Sequence, residues 1–258
     1  MSENTMLSAK LMAIYRYPVK GLSPEILQSV ELKPGQTLPF DRAYAIENGK
    51  GKFNPEQPKY LPKVNFLMLM RNEKLATLKT VFDDETHELA ISHDGETVAS
   101  GALNSPAGCQ AIEKFMADYM SDGLKGAPRI VHAANHSFSD VAAKCLHIIN
   151  LESIRELERM IGKSIDPLRF RPNLIVEGPP AFSELDWVGK NLASDGISLN
   201  VFKRTMRCPA TNVDPQNGMR DLTIPDVLFE QFGHRDFGIY AEVETGGILT
   251  PGVELALS

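Results

Sequence analysis

The chain has 258 residues and a mass of 28.5 kDa, which is long enough for one large domain or two small ones. Its composition, 43% hydrophobic and 23% charged, is that of a globular chain and excludes a wholly disordered one. The 33 acidic and 27 basic residues give a net charge of −6, which argues against a nucleic-acid partner because such proteins carry basic surfaces.

The N-terminal part of the sequence predicts short strands separated by turns. Alternating or apolar runs end at Pro, Gly or Asn residues, and they lie at 11–17, 29–32, 41–46, 66–70, 75–81 and 88–92. The pair Asn48-Gly49 is typical of a tight hairpin. Strands this short, with turns about ten residues apart, predict a barrel or a strongly coiled antiparallel sheet.

The pattern changes near residue 105. Residues 106–119 carry apolar side chains at helical spacing, and Asn150 is the predicted N-cap of a second helix over 151–161. Further strands are predicted at 129–132, 145–149, 173–177, 197–202, 237–243 and 253–257. The glycine-bounded stretch 123–126 is the predicted boundary between an N-terminal domain, residues 1–122, and a C-terminal domain, residues 123–258.

The cysteine count limits the redox chemistry that the chain can perform alone. Three cysteines cannot build a disulfide framework, and they are one short of the four thiolates that usually hold an iron–sulfur cluster. Redox chemistry would therefore need another cofactor or another protein. The sequence shows no signal or transit peptide and no membrane span, which predicts a cytoplasmic protein with no membrane partner.

Cys208 lies in a basic segment that follows a predicted strand. The neighbouring cations are Lys203, Arg204 and Arg207. Positive charge near a thiol favours the thiolate, the form that attacks electrophiles and binds soft metals. Pro209 favours an extended backbone at Cys208. The alternative for Cys208 is a buried, inert cysteine at a strand end. Cys109 and Cys145 lack a basic setting, and Cys145 opens an apolar run, so we expect both in the core.

Several cations stand at the ends or starts of short strands: Lys20, Arg42, Arg171 and Arg207. Arg171 precedes Pro172, which favours an extended backbone, and an arginine fixed at the mouth of a strand suits a phosphate or a carboxylate. Each cation alone is equally typical of a solvated surface charge or an ion pair. If the barrel brings the four together, they form an anion site.

The order and spacing of motifs along nearly the whole chain resemble the MOSC family, named for the C-terminal domain of molybdenum cofactor sulfurase. The motifs are Tyr17-Pro-Val-Lys20, Asp41-Arg42, Phe170-Arg-Pro-Asn173, Arg207-Cys208, Val213-Asp-Pro215 with Gly218, and Phe237-Gly238 with Tyr240. The chain looks most like members with an N-terminal MOSC β-barrel domain, including the mitochondrial amidoxime-reducing component and bacterial relatives. The resemblance implies a mainly β fold with some α (α+β): a MOSC-type β-barrel, an N-terminal barrel-like part and a few packed helices.

The resemblance also implies a site for the molybdenum cofactor, Mo-molybdopterin. In reductase members the cysteine of the Arg-Cys motif ligates molybdenum, so Cys208 is the expected metal ligand and catalytic residue. The residues expected to hold the pterin and its phosphate are Lys20, Arg42, Arg171, Asn173, Arg207 and Tyr240. We expect neither the pyridoxal-phosphate domain of the sulfurases nor the iron–sulfur domain of some bacterial relatives.

Three positions depart from the family pattern. Small hydroxyl residues beside the family's lysine and before its Arg-Cys motif are here Gly21 and Met206. The small polar pair before the strand near residue 146 is here Ala143-Lys144, and we expect Lys144 to replace lost hydrogen bonds with a charge contact. The expected molybdenum ligand is unaffected, but the pterin contacts at these three positions should differ from the family's.

Three hypotheses follow. The leading one is a molybdoenzyme that reduces N-hydroxylated or N-oxide small molecules, with electrons from a separate flavin, haem or iron–sulfur protein. The alternative is a non-catalytic module that carries the cofactor, or a persulfide on Cys208, to another enzyme. The third is a barrel that has lost the cofactor. The same residues serve the first two hypotheses, so the sequence separates them poorly.

Overall fold

A computed structural model describes residues 7–49 and 51–258. The strands are β1 (Ser8–Arg16), β2 (Glu25–Leu27), β3 (Val30–Leu32), β4 (Tyr44–Asn48), β5 (Lys79–Phe82), β6 (Glu88–His93), β7 (Glu96–Ala102), β8 (Pro128–His132), β9 (Leu146–Asn150), β10 (Leu174–Glu177), β11 (Asn191–Ser194), β12 (Ile197–Met206), β13 (Asp236–Thr245), β14 (Gly247–Leu249) and β15 (Glu254–Leu257). The α-helices are α1 (Pro106–Tyr119), α2 (Leu151–Ile161) and α3 (Ile224–Phe232). Short 3₁₀-helices lie at Lys63–Asn65, Glu73–Thr77, Ser121–Gly123, Pro167–Phe170, Ser183–Asp186 and Pro209–Asn212.

Seven strands close into a barrel. Their hydrogen-bonded order is β10-β9-β13-β12-β11-β15-β1, and β1 pairs back onto β10. The β9–β10 pair is parallel and is connected by α2, whereas the other pairs around the barrel are antiparallel. Closure leaves the sheet with no open edge, and β2 adds to β1 outside the ring. The predicted mainly β barrel fold with a few helices is confirmed.

Alternate side chains of the strands fill the barrel interior. Leu199 and Val201 of β12 and Ile239 and Ala241 of β13 are fully buried there, with Trp187 packed in the same core. This alternation is the period-2 pattern of strands with one buried face. The same pattern explains why the sequence predicted β12 and β13 correctly.

A second core joins α1 to the three-stranded sheet β5-β6-β7 and to the β4–β8 pair. Ile112 and Met116 on one face of α1 are fully buried in this core. Ser105 caps α1 by accepting a hydrogen bond from the Gly108 amide. Gly108 must be glycine because a Cβ atom there would lie 2.2 Å from the Ala102 carbonyl oxygen. The N-terminus of α1 is therefore pressed directly against β7.

The two parts of the chain share strands. The N-terminal strand β1 completes the barrel formed by C-terminal strands, and β3 pairs with β14. The pairing of β4 with β8 joins residues that lie 80 to 88 positions apart in the sequence, from Asn48–Pro128 to Tyr44–His132. The boundary at residues 122–123 stays a prediction, in a fold whose parts are closely interleaved. Within the described residues, no helix is long and apolar enough to cross a membrane.

Both predicted helices are confirmed, but three predictions about the N-terminal part are wrong. Asn48-Gly49 forms no hairpin, because β4 pairs with the distant β8. Residues 66–70 form no strand: Phe66 and Leu67 are buried in different cores, which gives the apolar run without a sheet. Residues 75–81 divide between a 3₁₀-helix and β5. The sequence also missed α3, β2, β7, β11 and β14.

Candidate cofactor site

A cavity of about 270 Å³ lies at one end of the barrel. Strands β1 and β12 end there, and β9 and β10 begin there. The structure brings nine of the expected site residues to its wall: Lys20, Gly21, Arg42, Arg171, Asn173, Met206, Arg207, Cys208 and Tyr240. The four cations that the sequence left as separate candidates therefore meet at one cavity.

Lys144 is the exception among the expected site residues. Its ammonium donates a hydrogen bond to Gln36 Oε1 at 2.6 Å, and the residue is not part of the cavity wall. The next residue, Cys145, lines the cavity instead. Side chains of neighbouring residues point away from each other in an extended segment, so the charge contact expected of Lys144 has no support in this geometry.

Arg42 and Arg171 are held side by side by an unusual backbone. Both lie in the left-handed region, with φ of 52° and 53°, where a side chain costs about 1 kcal/mol. Arg42 donates to the Arg171 carbonyl oxygen at 3.1 Å, and both guanidinium groups stack on the Tyr17 ring, at 4.6 and 4.1 Å from its centroid. The extended backbone predicted for Arg171 is wrong, because this residue ends the 3₁₀-helix Pro167–Phe170 with a left-handed cap.

Carboxylates balance only some of these cations. Asp41 pairs with Arg42 at 2.5 Å, and although burial opposes the charge, this pairing holds the pKa of Arg42 above its ordinary value. Asp140 pairs with Lys20 at 2.5 Å and with Lys63 at 3.2 Å. Burial favours the neutral acid, but the two ammonium groups hold the pKa of Asp140 well below its usual range.

Arg171 and Arg207 have no carboxylate partner among the described residues. Arg171 donates to the Leu22 carbonyl oxygen at 2.8 Å, and Arg207 donates to that of Phe170 at 2.8 Å. Arg171 Nη2 and Arg207 Nε are buried without a hydrogen-bond partner. Burial lowers the pKa of Arg171 to about 10 and also lowers that of Arg207. Buried charge without a counter-ion is costly, so this pair fits an anionic ligand.

His147 lies between the two unpaired arginines and fixes them. Its Nε2 atom is 3.2 Å from Arg207 Nη1, and its Nδ1 atom is 3.3 Å from the Arg171 carbonyl oxygen. Because guanidinium only donates, Nε2 accepts and the ring proton stays on Nδ1. Burial, reinforced by the Arg207 charge, lowers the pKa of His147 well below its ordinary value, so the ring is neutral. Gly238 leaves room for it, since a Cβ atom there would lie 2.9 Å from Nε2.

Cys208 lies at the cavity wall just after β12 ends. Its backbone is extended, as Pro209 predicts, with φ of −119° and ψ of 168°. The Lys63 ammonium donates to Cys208 Sγ at 3.2 Å and to Asp140, so a fixed cation stands next to the sulfur. A thiol group that faces a cation-lined cavity is a suitable ligand for a soft metal.

The other two cysteines have different surroundings. Cys145 also borders the cavity but is buried, and burial raises the pKa of its thiol to about 12. The core position predicted for Cys145 is confirmed. Cys109 is half-buried on α1 and donates to the Leu103 carbonyl oxygen at 3.3 Å, so it is less buried than predicted. Burial raises its pKa as well, although less strongly.

The remaining expected residues have distinct positions. The side-chain amide of Asn173 bonds to the protein's own backbone: it donates to the Tyr15 carbonyl oxygen and accepts from the His147 amide, both at 3.0 Å. It therefore stabilises the cavity wall. Gly21 has φ of 87°, which favours glycine over the family's hydroxyl residue. Met206 is 76% exposed at the rim. Burial raises the pKa of Tyr240 to about 12, so its phenol keeps its proton.

Sequence reasoning missed several residues that shape the site. They are Tyr17, Lys63, Asp140 and His147. Lys63 opens a 3₁₀-helix and Asp140 lies in a loop, both far from any motif, and no local pattern points to them. Tyr17 is part of the Tyr17-Pro-Val-Lys20 motif. His147 is the second residue of the buried strand β9, so a polar residue in an apolar run was the available signal for it.

Comparison with known proteins shows the family of this chain. The model of the MOSC N-terminal beta barrel domain matches residues 8–136, and the model of the MOSC domain matches residues 130–256. The chain belongs to the MOSC family. Its two domain models together extend over nearly all of the sequence and meet within β8 and the following loop.

Similar MOSC proteins include two differently named groups. Molybdenum cofactor sulfurase from Drosophila erecta is 26% identical over 256 residues, which cover 91% of this chain and 32% of that protein. Mitochondrial amidoxime reducing component 2 from Rattus norvegicus is 29% identical over 119 residues, or 42% of this chain and 35% of that protein. The chain spans about a third of the length of these curated relatives. A solved structure, the YUAD protein from Bacillus subtilis, aligns with 98% of this chain at 13% identity and a TM-score of 0.47.

Proposed function

We propose that this MOSC protein binds the molybdenum cofactor in the cavity and reduces N-hydroxylated or N-oxide small molecules. The observation that carries the proposal is a pair of half-buried arginines, Arg171 and Arg207, beside the thiol of Cys208. Neither has a carboxylate partner among the described residues, and each keeps one buried N–H group without a hydrogen-bond partner. The names of its relatives, which refer to the molybdenum cofactor and to amidoxime reduction, support the same chemistry.

The residues present fit this cofactor. Its pterin carries a phosphate, and the unsatisfied N–H groups of Arg171 and Arg207 are suitable donors to phosphate oxygens. Lys20 and Arg42 would add charge, although each already has a carboxylate partner. Cys208 would be the protein ligand to molybdenum, because a thiolate suits a soft metal. When bound, the cofactor would supply two-electron redox chemistry at the metal.

The overall reaction fixes what the protein must supply. Reduction of the N–O bond consumes two electrons and two protons, and the oxygen leaves as water. Electrons would come from a separate flavin, haem or iron–sulfur protein, because three cysteines cannot hold a cluster in this chain. Lys63 and Tyr240 hold protons at the cavity wall and can donate hydrogen bonds to a bound substrate.

His147 has a positioning role in this proposal. Its neutral ring accepts from Arg207 and donates to the Arg171 backbone, so it sets the separation of the two arginines without adding charge. Met206 is exposed at the rim, where it can contact a substrate but contributes little to holding the pterin. The pterin contacts would therefore come from the guanidinium groups and not from Gly21 or Met206.

The second candidate function is a carrier of the cofactor or of a persulfide on Cys208. One observation favours it: Cys208 is only half-buried and has Lys63 against its sulfur, a setting that also suits an exchangeable sulfur group. A carrier would transfer cofactor to an apo-enzyme and would show no turnover with an artificial electron donor.

The test is reduction of N-hydroxybenzamidine with reduced methyl viologen as donor, by protein purified from a host that makes the cofactor. We expect turnover by the wild type and by Cys109→Ala, and loss of turnover in Cys208→Ser. Cys109 is the matched control, because it is half-buried like Cys208 but lies on α1, outside the cavity. Full activity in Cys208→Ser would overturn the ligand assignment, and no wild-type turnover would favour the carrier.

A further inference from the structure

A second depression continues the cavity past Met68 and Met70, which line both. We call it the outer groove. Pro209, the residue after Cys208, forms part of its wall, so the outer groove begins next to the expected metal ligand. Met68 and Met70 provide an apolar, polarisable surface between the two spaces.

The outer groove is strongly cationic although the chain as a whole is acidic. Its charged lining residues are Arg71, Lys125 and Arg220, and none of the described residues that line it is acidic. The net charge of the chain is −6, so the sign of the charge in the groove is opposite to that of the chain as a whole. A concave surface lined by one sign of charge concentrates ligands of the opposite sign.

Two of these cations form no ion pair with the described residues. The Arg71 guanidinium forms no ion pair or hydrogen bond with residues 7–49 or 51–258, and the residue is exposed. The Lys125 ammonium has one long contact, 3.5 Å from the Val64 carbonyl oxygen. Arg220, in contrast, is paired with Glu73 at 3.0 Å, so its charge is offset. It also donates to the carbonyl oxygens of Pro209 and Met70, at 3.0 and 2.9 Å, and so acts as a clamp. The clamp fixes the wall on which Arg71 stands.

We propose that the outer groove binds an acidic group, a carboxylate or a phosphate, at the end of the substrate remote from its N–O bond. The inference rests on the proposed function. It narrows the substrate class to N-hydroxylated compounds that have an apolar middle part and an anionic end. The apolar part would lie on Met68 and Met70, and Arg71 and Lys125 would bind the anionic end. Neutral compounds would bind through the apolar part alone.

Equilibrium binding tests this without turnover. Calorimetry, with no electron donor present, would give the Kd of N-hydroxybenzamidine and of its para-carboxylate and para-phosphonate derivatives. Hydrogen bonds to charged groups predict that at least one derivative binds about tenfold more tightly than the neutral compound. The tighter derivative identifies which anion the groove prefers. Equal Kd values for all three compounds would overturn the proposal.

Charge-reversal variants test whether the preference for an anionic compound arises in the outer groove. Arg71→Glu and Lys125→Glu should each remove most of the preference for the anionic compound, and Lys190→Glu should keep it, because Lys190 is an exposed cation outside the groove. A preference that survives both groove reversals would contradict the proposal. So would release of a nucleotide from the denatured wild type, since the groove would then hold a cofactor extension. Failure to reduce any compound when donor is added would count against the proposed function alone.

Discussion

Two polar regions of this protein, the network around Glu184 and the cavity arginines, differ in whether all their hydrogen-bonding groups have partners. In the first, Glu184 is fully buried and accepts hydrogen bonds from the Ser153 hydroxyl at 2.8 Å and from the Asn150 amide at 3.3 Å. Every side-chain group of this network finds a partner within the described chain. In the cavity, Arg171 and Arg207 keep buried N–H groups without partners. A closed network serves the fold, whereas an open one leaves donors to which a ligand can bind.

Charge pairing separates two arginines of one loop, although each keeps one buried N–H group without a partner among the described residues. Arg169 is buried and pairs with Asp221 at 2.8 Å and with Asp214 at 3.2 Å. Arg171 lies two residues further on and has no carboxylate partner among the described residues. Sequence proximity therefore says little about role: the chain pairs Arg169 with two of its own carboxylates and leaves Arg171 with none among the described residues.

The largest change in the free energy of unfolding is expected when the ion pairs of Arg169 are removed. Arg169→Met should lower the free energy of unfolding by about 3 kcal/mol, because the charged hydrogen bonds to Asp214 and Asp221 and the bond to the Asn212 carbonyl oxygen are all lost. Urea denaturation of cofactor-free protein measures it. A loss below about 1 kcal/mol would show that these ion pairs do not hold the loop.

The closed network should make stability depend on pH. Burial raises the pKa of Glu184 to about 7 from an ordinary 4.5. Between these values the folded protein keeps a proton that the unfolded chain releases, so the free energy of unfolding falls as pH rises, by up to about 3 kcal/mol. Glu184→Gln removes this titration, and its stability should fall less than that of the wild type from pH 5 to pH 8. Parallel profiles for the two proteins would contradict the assignment.

A smaller loss is expected when one donor of the closed network is removed. Ser153→Ala should cost about 2 kcal/mol, because Glu184 loses its hydroxyl donor and the Phe182 amide loses its acceptor. The matched control is Ser164→Ala, an exposed serine, which should stay within about 0.5 kcal/mol of the wild type. Thermal or urea unfolding measures both. Equal effects in the two variants would mean that the network is not needed for stability.

The smallest effect on the cofactor-free protein is expected in the open region. Arg171→Met removes a buried charge that has no counter-ion, so the free energy of unfolding should change by less than about 1 kcal/mol or should rise. The cofactor-loaded wild type should be stabilised over the cofactor-free form, and this gain should shrink in the variant. A large loss of stability in cofactor-free Arg171→Met would show that Arg171 serves the fold.

The sequence predicted six of the seven barrel strands, all but β11, and the two helices 106–119 and 151–161, because their apolar periodicity and caps are local signals. It did not predict how β4 finds β8 across a long connection, since pairing partners depend on the whole fold. Residue chemistry alone pointed to Cys208 and the four cations of the cavity wall, and the family motifs added Asn173 and Tyr240. Lys63 and Asp140 could not be found in either way, because the fold brings them beside Cys208 and Lys20 from distant parts of the chain without any recurring spacing.

The most direct test of a cofactor site at this cavity is the molybdenum content of the protein purified from a host that makes the cofactor. Plasma mass spectrometry would compare the wild type with Cys208→Ala and with Cys109→Ala. We predict about one molybdenum atom per chain in the wild type and in Cys109→Ala, and a clear loss in Cys208→Ala. Wild-type protein without molybdenum, and without a fluorescent pterin released on denaturation, would contradict the account.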